Sequence, residues 1–221
     1  MDSKEFEGEY VTSVYNRIAN GFNRTRQNRW PQVVEFINSL PEKSLIGDIG
    51  CGNGRFMLTR KDCEFEGCDR TQAMVDICQE QGLKVKQGDV TNIPFPNDYF
   101  DGLVCIAVIH HLATEERRKQ AIRELIRVVK PGGKILIEVW SYEASIGSKF
   151  KFQTIEKEGF NEQDKFLSWS EPNKPETTNT PLRYYHLFKE EEFKSLVLEN
   201  EVELVNCFLD HGNWFLSIVK Q

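Results

Sequence analysis

The sequence predicts an α/β fold around a mostly parallel sheet, and three observations carry that prediction. Short apolar runs alternate with helix-period segments from residue 44 to residue 140; the runs are rich in β-branched residues; and glycine, proline or an acid stands at the joints. Strands separated by helices need crossover connections, which pair neighbours in parallel and cover both faces of the sheet. At 221 residues, 39% of them hydrophobic, the chain is long enough for one sizeable core and short for two, so a single domain is expected over residues 1–221.

The elements follow in order. Residues 1–42 form a helical segment, with Tyr10, Val14, Ile18 and Phe22 on one period and a second helix opening at Trp30-Pro31. The core spans 43–142. Its strands are "SLIGDIG" (44–50), "CEFEGCD" (63–69), "LKVKQGD" (83–89), "FDGLVCIAV" (100–108) and "KILIEVW" (134–140). A helix over 71–81 stops at Gly82, and another begins with Thr114 as N-cap and ends before Pro131-Gly132-Gly133. From 143 to 182 the pattern dissolves, and "SEPNKPETTNTP" predicts a flexible loop. Order returns over 183–221 with "LRYYHLF", a helix at 189–200, and two strands flanking a hairpin turn at Asp210-His211-Gly212-Asn213.

Composition narrows the function. No apolar run reaches the roughly 20 residues of a membrane span, and the first residues lack a leader's apolar stretch, so a soluble intracellular protein with no membrane role is expected. The six cysteines form no CxxC pair and no zinc-ligand spacing; they read as reduced thiols, and no metal site is expected. A net charge of −6 argues against coating nucleic acid by bulk charge. Arginine clusters at 17–29 and 117–123 remain local patches, usually solvated helix faces.

The stretch "GDIGCGNGRF" (47–56) puts Gly50, Gly52 and Gly54 directly after a strand, where bare backbone lets a ligand approach. It is not the dinucleotide pattern, because Arg55 stands where the third glycine would be, and Asp48 would repel a pyrophosphate. A cofactor with a cationic end suits Asp48, and S-adenosylmethionine carries a sulfonium and no phosphate. Asp69, at the tip of the second strand, is placed to accept from ribose hydroxyls, and Asp89, closing the third, from the adenine amine. Each acid alone has a bland alternative as a helix cap or turn former.

"DIGCGNG", Asp69, "GDV" before "IPFPNDYFDGLVC", and "RVVKPGGKILI" resemble, in order, the motifs of class I S-adenosylmethionine-dependent methyltransferases. The resemblance implies a Rossmann-like seven-stranded sheet with one antiparallel strand in a C-terminal hairpin. It also implies a cofactor set of Asp48, Gly50, Cys51, Gly52, Asn53, Gly54, Asp69, Arg70, Asp89, Val90 and Ile106. Outside those motifs, "EYVTSVYNRIANGFNRTRQNRWP", "IAVIHHLATEERR", "EVWSYE", "RYYHLF" and "GNWFLSIVK" are similar to the eukaryotic tRNA wobble-uridine methyltransferases, which esterify a 5-carboxymethyl group in the anticodon. That likeness implies a tRNA substrate, a cytoplasmic or nuclear location, and a heterodimer with a small zinc-binding activator protein near the third strand.

The acceptor chemistry can be argued separately. Methyl transfer from sulfonium is an in-line displacement, and a carboxylate with a pKa of about 4 needs no general base, only donors that orient it. Arg26 and Arg183, with His111 and His186 beside them, are the candidate donors, which the likeness also places in the substrate site. Tyr184 or Tyr185 would shape the pocket, one of the pair lying in the core because strand side chains alternate. Trp30 or Trp214 would stack on a base, and His110 is read as structural. Three other readings compete: a quinone- or sterol-type small-molecule methyltransferase, a non-catalytic cofactor-binding scaffold of an RNA-modifying complex, and a nicotinamide oxidoreductase.

Overall fold

The computed structural model describes residues 2–146, 148–170 and 179–221. Helix α1 (Ser3–Glu7) is started by Asp2, whose side chain accepts from Glu5 N in a reciprocal capping box. It runs through a π-helical turn, Gly8–Thr12, into α2 (Ser13–Thr25). Helix α3 (Pro31–Asn38) has proline in its first turn, where the missing N–H costs no bond.

The main sheet contains β1 (Leu45–Ile49), β2 (Glu64–Asp69), β3 (Val85–Gln87), β4 (Phe100–Ile106), β5 (Val129–Trp140), β9 (Val202–Asp210) and β10 (Asn213–Lys220). Their order is β3-β2-β1-β4-β5-β10-β9, with β10 antiparallel to both neighbours and the rest of the β3-to-β5 run parallel. This is the seven-stranded arrangement the sequence implied. The hairpin between β9 and β10 turns on His211 and Gly212, both at positive φ (45° and 82°), as a two-residue turn of matching twist requires.

Period-two alternation divides the core. One face buries Leu103, Cys105, Ile135 and Ile137 under α5 (Glu115–Arg127) and α6 (Glu190–Leu198), helices that add Ile122, Leu125, Phe193 and Val197. The other face buries Ile46, Val104, Leu136 and Phe215 against Val33 and Ile37 of α3 and Val75 and Cys78 of α4 (Gln72–Glu80). Each such side chain contributes about 1.5–3 kcal/mol on burial.

Residues 143–182, expected to be loop, require a correction. Strands β6 (Gln153–Thr154) and β7 (Asp164–Ser168) lie within them and join β8 (Leu182–His186) in a second, antiparallel sheet of order β6-β7-β8. Most of the proline-rich stretch, residues 171–178, lies outside the described residues. Among those described, no helix is long and apolar enough to cross a membrane.

Candidate active site

The strand order reverses between β1 and β4, and the carboxyl ends of both strands open into a cleft at that switch point. The turn after β1 forms its floor. Gly50 sits at φ 74° with space for no side chain, since a Cβ would lie 2.2 Å from Val108 Cγ2. Gly52 (φ 54°) also needs the left-handed region, but a Cβ there would meet nothing, so its bare backbone faces open space.

Two carboxylates edge this floor. Asp48 is 1% exposed and its Oδ2 has no hydrogen-bond partner among the described residues. Burial pushes its carboxyl up to about 7, with the nearby Arg55 charge opposing and Asp69 adding to the rise. Asp69 Oδ2 accepts from Gly52 N at 2.9 Å and its Oδ1 from Thr71 N at 2.9 Å, which fixes the carboxylate against the turn. Burial raises its pKa, while those N–H groups pull the other way. Val90, Ile106 and Leu112 line the cleft with apolar surface, and Val11, Tyr15 and Phe22 of the N-terminal helices close it from above.

An orphaned buried carboxylate oxygen, an unobstructed glycine backbone and apolar walls fit a ligand with a cationic end and a flat aromatic part, which S-adenosylmethionine has. In the predicted set, Asp48, Gly50, Cys51, Gly52, Asn53, Asp69, Arg70, Val90 and Ile106 line the cleft. Gly54 and Asp89 do not. A Cβ on Gly54 would stand 2.3 Å from Leu83 Cδ1, so that glycine serves packing. Asp89 Oδ1 accepts from Thr91 N and Oγ1, and its Oδ2 faces Arg70 and Arg117 at 3.7 and 3.8 Å. Although burial opposes it, the Thr91 N–H and Arg70 hold that carboxyl below the usual range. The adenine-side role expected of Asp89 is therefore not supported by its position.

A second cleft adjoins the first. Arg26, Trp140, Lys149, Lys151 and Arg183 line it, and it meets a further hollow edged by Trp30 at Arg26, Trp140, Lys149 and Phe150. Arg183 is 4% exposed; its Nη1 donates to Tyr15 Oη at 3.4 Å, its guanidinium lies over the rings of Tyr15 and Tyr185, and its Nε has no partner. Among the described residues no carboxylate pairs with Arg26, Lys149, Lys151 or Arg183, in contrast to Arg117 and Arg127 elsewhere. His111 lines the first cleft. Its Nδ1 lies 2.6 Å from Tyr184 O, which only accepts, so Nδ1 carries the proton and Nε2, 3.1 Å away, accepts from Tyr15 Oη. Burial pushes its pKa down to about 3, and this imidazole is neutral.

Known proteins were compared with the chain. Residues 47–137 match the family described as Methyltransferase domain. The tRNA (carboxymethyluridine(34)-5-O)-methyltransferase of Schizosaccharomyces pombe is 36% identical, covering 98% of this chain and 98% of its own length. The chain belongs to this family. Against relatives of the same name from Xenopus tropicalis, Arabidopsis thaliana, Mus musculus and Macaca fascicularis it spans less than half of the longer protein, 42%, 34%, 32% and 45% respectively. An S-adenosylmethionine-dependent methyltransferase from Clostridium acetobutylicum shares the fold at TM-score 0.70 and 14% identity, over 93% of this chain and 98% of that one. A methyltransferase solved with the Haloferax volcanii Trm112 methyltransferase activator shares it at TM-score 0.65 and 14% identity, over 93% and 96%.

In this carboxymethyluridine methyltransferase family member, two of the expected acceptor residues share one cleft, a third lines the neighbouring one, and two line neither. Arg26 and Arg183 line the second cleft and His111 the first. Tyr184 and His186 are corrections. Alternation along β8 sends Arg183 and Tyr185 to one face and Tyr184 and His186 to the other, so Tyr184 donates to Asp164 and His186 lies 2.9 Å from Asp164 and 2.8 Å from Glu192, and neither lines a cleft. Tyr185, stacked on Trp140 and 4.6 Å from His111, takes the place given to Tyr184. Trp214 is core, its Nε1 donating to Glu143, whereas Trp30 does edge the acceptor side. His110 is structural: its Nδ1 accepts from Trp140 N at 3.2 Å. Tyr15 and Glu138 were missed. Tyr15 carried no signal beyond helical period. Glu138 did, as the lone acid inside "ILIEVW"; it is fully buried, neither oxygen has a partner, and burial pushes it up to about 8.

Proposed function

We propose that this chain is the catalytic subunit of an S-adenosylmethionine-dependent methyltransferase that esterifies the 5-carboxymethyl group of the wobble uridine in tRNA anticodons, giving 5-methoxycarbonylmethyluridine. The observation that carries this reading is Arg183, a buried guanidinium that has no carboxylate partner among the described residues and lies beside the cleft that suits the cofactor. A buried cation without a counter-ion is costly, and an incoming carboxylate removes that cost.

S-adenosylmethionine, when bound, supplies an electrophilic methyl group on a sulfonium. Asp48 and the backbone of residues 50–53 would hold its amino-acid end, Asp69 the ribose, and Val90, Ile106 and Leu112 the adenine faces. Arg183 orients the acceptor carboxylate, and Tyr15, fixed in turn by His111, holds the guanidinium in one rotamer. Because His111 is neutral, it gives no proton to an acceptor that must remain ionised. The work of the site is alignment, not proton transfer.

The cations Arg26, Lys149 and Lys151, without a carboxylate partner among the described residues, suit phosphates flanking the base, and the faces of Trp140, Phe150 and Trp30 suit an unstacked nucleobase. A quinone- or sterol-type acceptor would find four cations where it needs apolar wall. We further propose a cytoplasmic heterodimer with a small zinc-binding activator related to Trm112, seated near β3. The zinc would belong to that partner.

The test is methyl transfer to purified tRNA carrying 5-carboxymethyluridine, read by nucleoside mass spectrometry, with the activator present. The expected product is the methyl ester. Turnover of tRNA with no ester at the wobble position would refute the reading.

A further inference from the structure

We propose that Glu7 is a positioning residue for the cofactor: its carboxylate latches the N-terminal helical segment in place as the roof of the cofactor cleft. This rests on the reading of that cleft given above. Glu7 lies on α1, outside every motif of the sequence, and is 0% exposed. Its Oε1 accepts from Arg117 Nε at 2.7 Å and from Ala113 N at 2.9 Å, and its Oε2 from Arg117 Nη2 at 2.7 Å and Arg70 Nη1 at 3.0 Å. One carboxylate thus takes four bonds from three separate segments.

Those segments are walls of the cleft. Arg70 lines it and follows Asp69; Ala113 follows His111 and Leu112, which line it; Arg117 stands behind them on α5. On the other side, Glu7 leads directly into the residues that cover the cleft, Val11 in the π-helical turn and Tyr15 and Phe22 in α2. A π turn is wider than an α turn and changes which residues share a helix face, a feature concentrated at functional sites. Other polar ties reach the roof: Tyr15 Oη bonds His111 Nε2 and accepts from Arg183 Nη1, Asn16 Oδ1 accepts from Ala73 N, and Asn23 Oδ1 from Asn53 Nδ2. None of these is made by a carboxylate. Glu7 makes the close ion pairs with Arg70 and Arg117, both half-buried, and among the described residues the other carboxylate paired with them is Asp89, nearly 4 Å away.

The latch therefore predicts an effect on cofactor retention that exceeds its effect on acceptor handling. Glu7→Gln keeps the shape and removes the charge; Glu7→Asp keeps the charge and shortens the reach. With the activator-bound protein, S-adenosylhomocysteine as probe and tRNA as acceptor, Glu7→Gln should raise the probe's Kd about tenfold, chiefly through faster dissociation in stopped flow. The KM for tRNA should stay within twofold, and amide exchange should quicken over residues 8–22 but not in β1, β4 or β5. Glu7→Asp should recover part of the affinity. A variant that folds and keeps the wild-type Kd and exchange pattern would overturn the proposal while leaving the cleft's assignment intact. So would uniform loosening of the whole chain, which marks a merely structural role. Absence of binding by the wild-type complex would instead refute the cleft's assignment and the latch with it.

Discussion

The carboxyl of Asp48, pushed up to about 7 chiefly by burial, is half ionised at neutral pH, and a cationic ligand favours its charged form. The sign follows. Below 7 the free protein must release a proton to bind, so affinity for S-adenosylmethionine should rise by up to tenfold per pH unit between 5.5 and 7 and then flatten. Calorimetry across that range tests this, and Asp48→Asn should weaken binding and abolish the slope. On the acceptor side, Arg183→Ala should reduce transfer by about 10³-fold, as loss of a buried charge-assisted carboxylate contact does, with cofactor Kd changed less than twofold. Tyr15→Phe removes one hydroxyl between Arg183 and His111, and a loss of kcat of about tenfold is expected in single-turnover assays. Equal loss of cofactor binding in Arg183→Ala would show that the arginine belongs to the other cleft. The sequence pointed to Arg183 and to Tyr184 as a site residue beside it, without settling which of Tyr184 and Tyr185 is core, because which face of β8 meets the cleft depends on its partner β7, and that pairing has no local signature.

Within an element, the turn after β1 is the most legible feature and the least tolerant. Gly50→Ala would place a methyl 2.2 Å from Val108 Cγ2 at φ 74°, combining overlap with left-handed strain, and should cost roughly 2–4 kcal/mol in urea unfolding. Val108→Ala in the same chain should return part of that loss by removing the clash and none of the strain. Glycine spacing and acids at strand ends could be read because they answer to local geometry. The small sheet could not: β6 has two residues and β7 five, too few for alternation to stand out, and β7, which pairs β6, itself pairs β8, which in sequence lies beyond a proline-rich stretch. The same reason hid Asp164 and Glu192, whose bonds to His186 tie that sheet to α6 and turn an apparent substrate histidine into a structural one.

Across the whole molecule, two fields of charge act on different processes. Inside, Glu138 has a folded pKa of about 8, above its ordinary 4.5, so the folded chain holds that proton more tightly than the unfolded one. Stability from this group is complete below about 4.5 and is lost as pH rises towards 8; Glu138→Gln should therefore raise stability at pH 8 by roughly 2–4 kcal/mol, a gain that vanishes near pH 4 in thermal melts. Outside, a chain of net charge −6 gathers at one cleft cations that have no carboxylate partner among the described residues. With Arg183 assigned to the acceptor carboxylate in the proposed site, Arg26, Lys149 and Lys151 would remain for phosphates. Three contacts to a single-stranded loop give a slope of about −2 in log affinity against log salt. Three contacts are few for an anticodon arm, so the proposed activator should add cations of its own, steepening the slope and tightening binding when it joins. Lys149→Ala with Lys151→Ala should flatten the slope by about 1.4 whether or not the partner is present, because those two sites belong to this chain. Titrations of an anticodon stem-loop at several salt concentrations separate the contributions. A slope and affinity unchanged by the activator would mean that the single cleft carries all of the RNA contact.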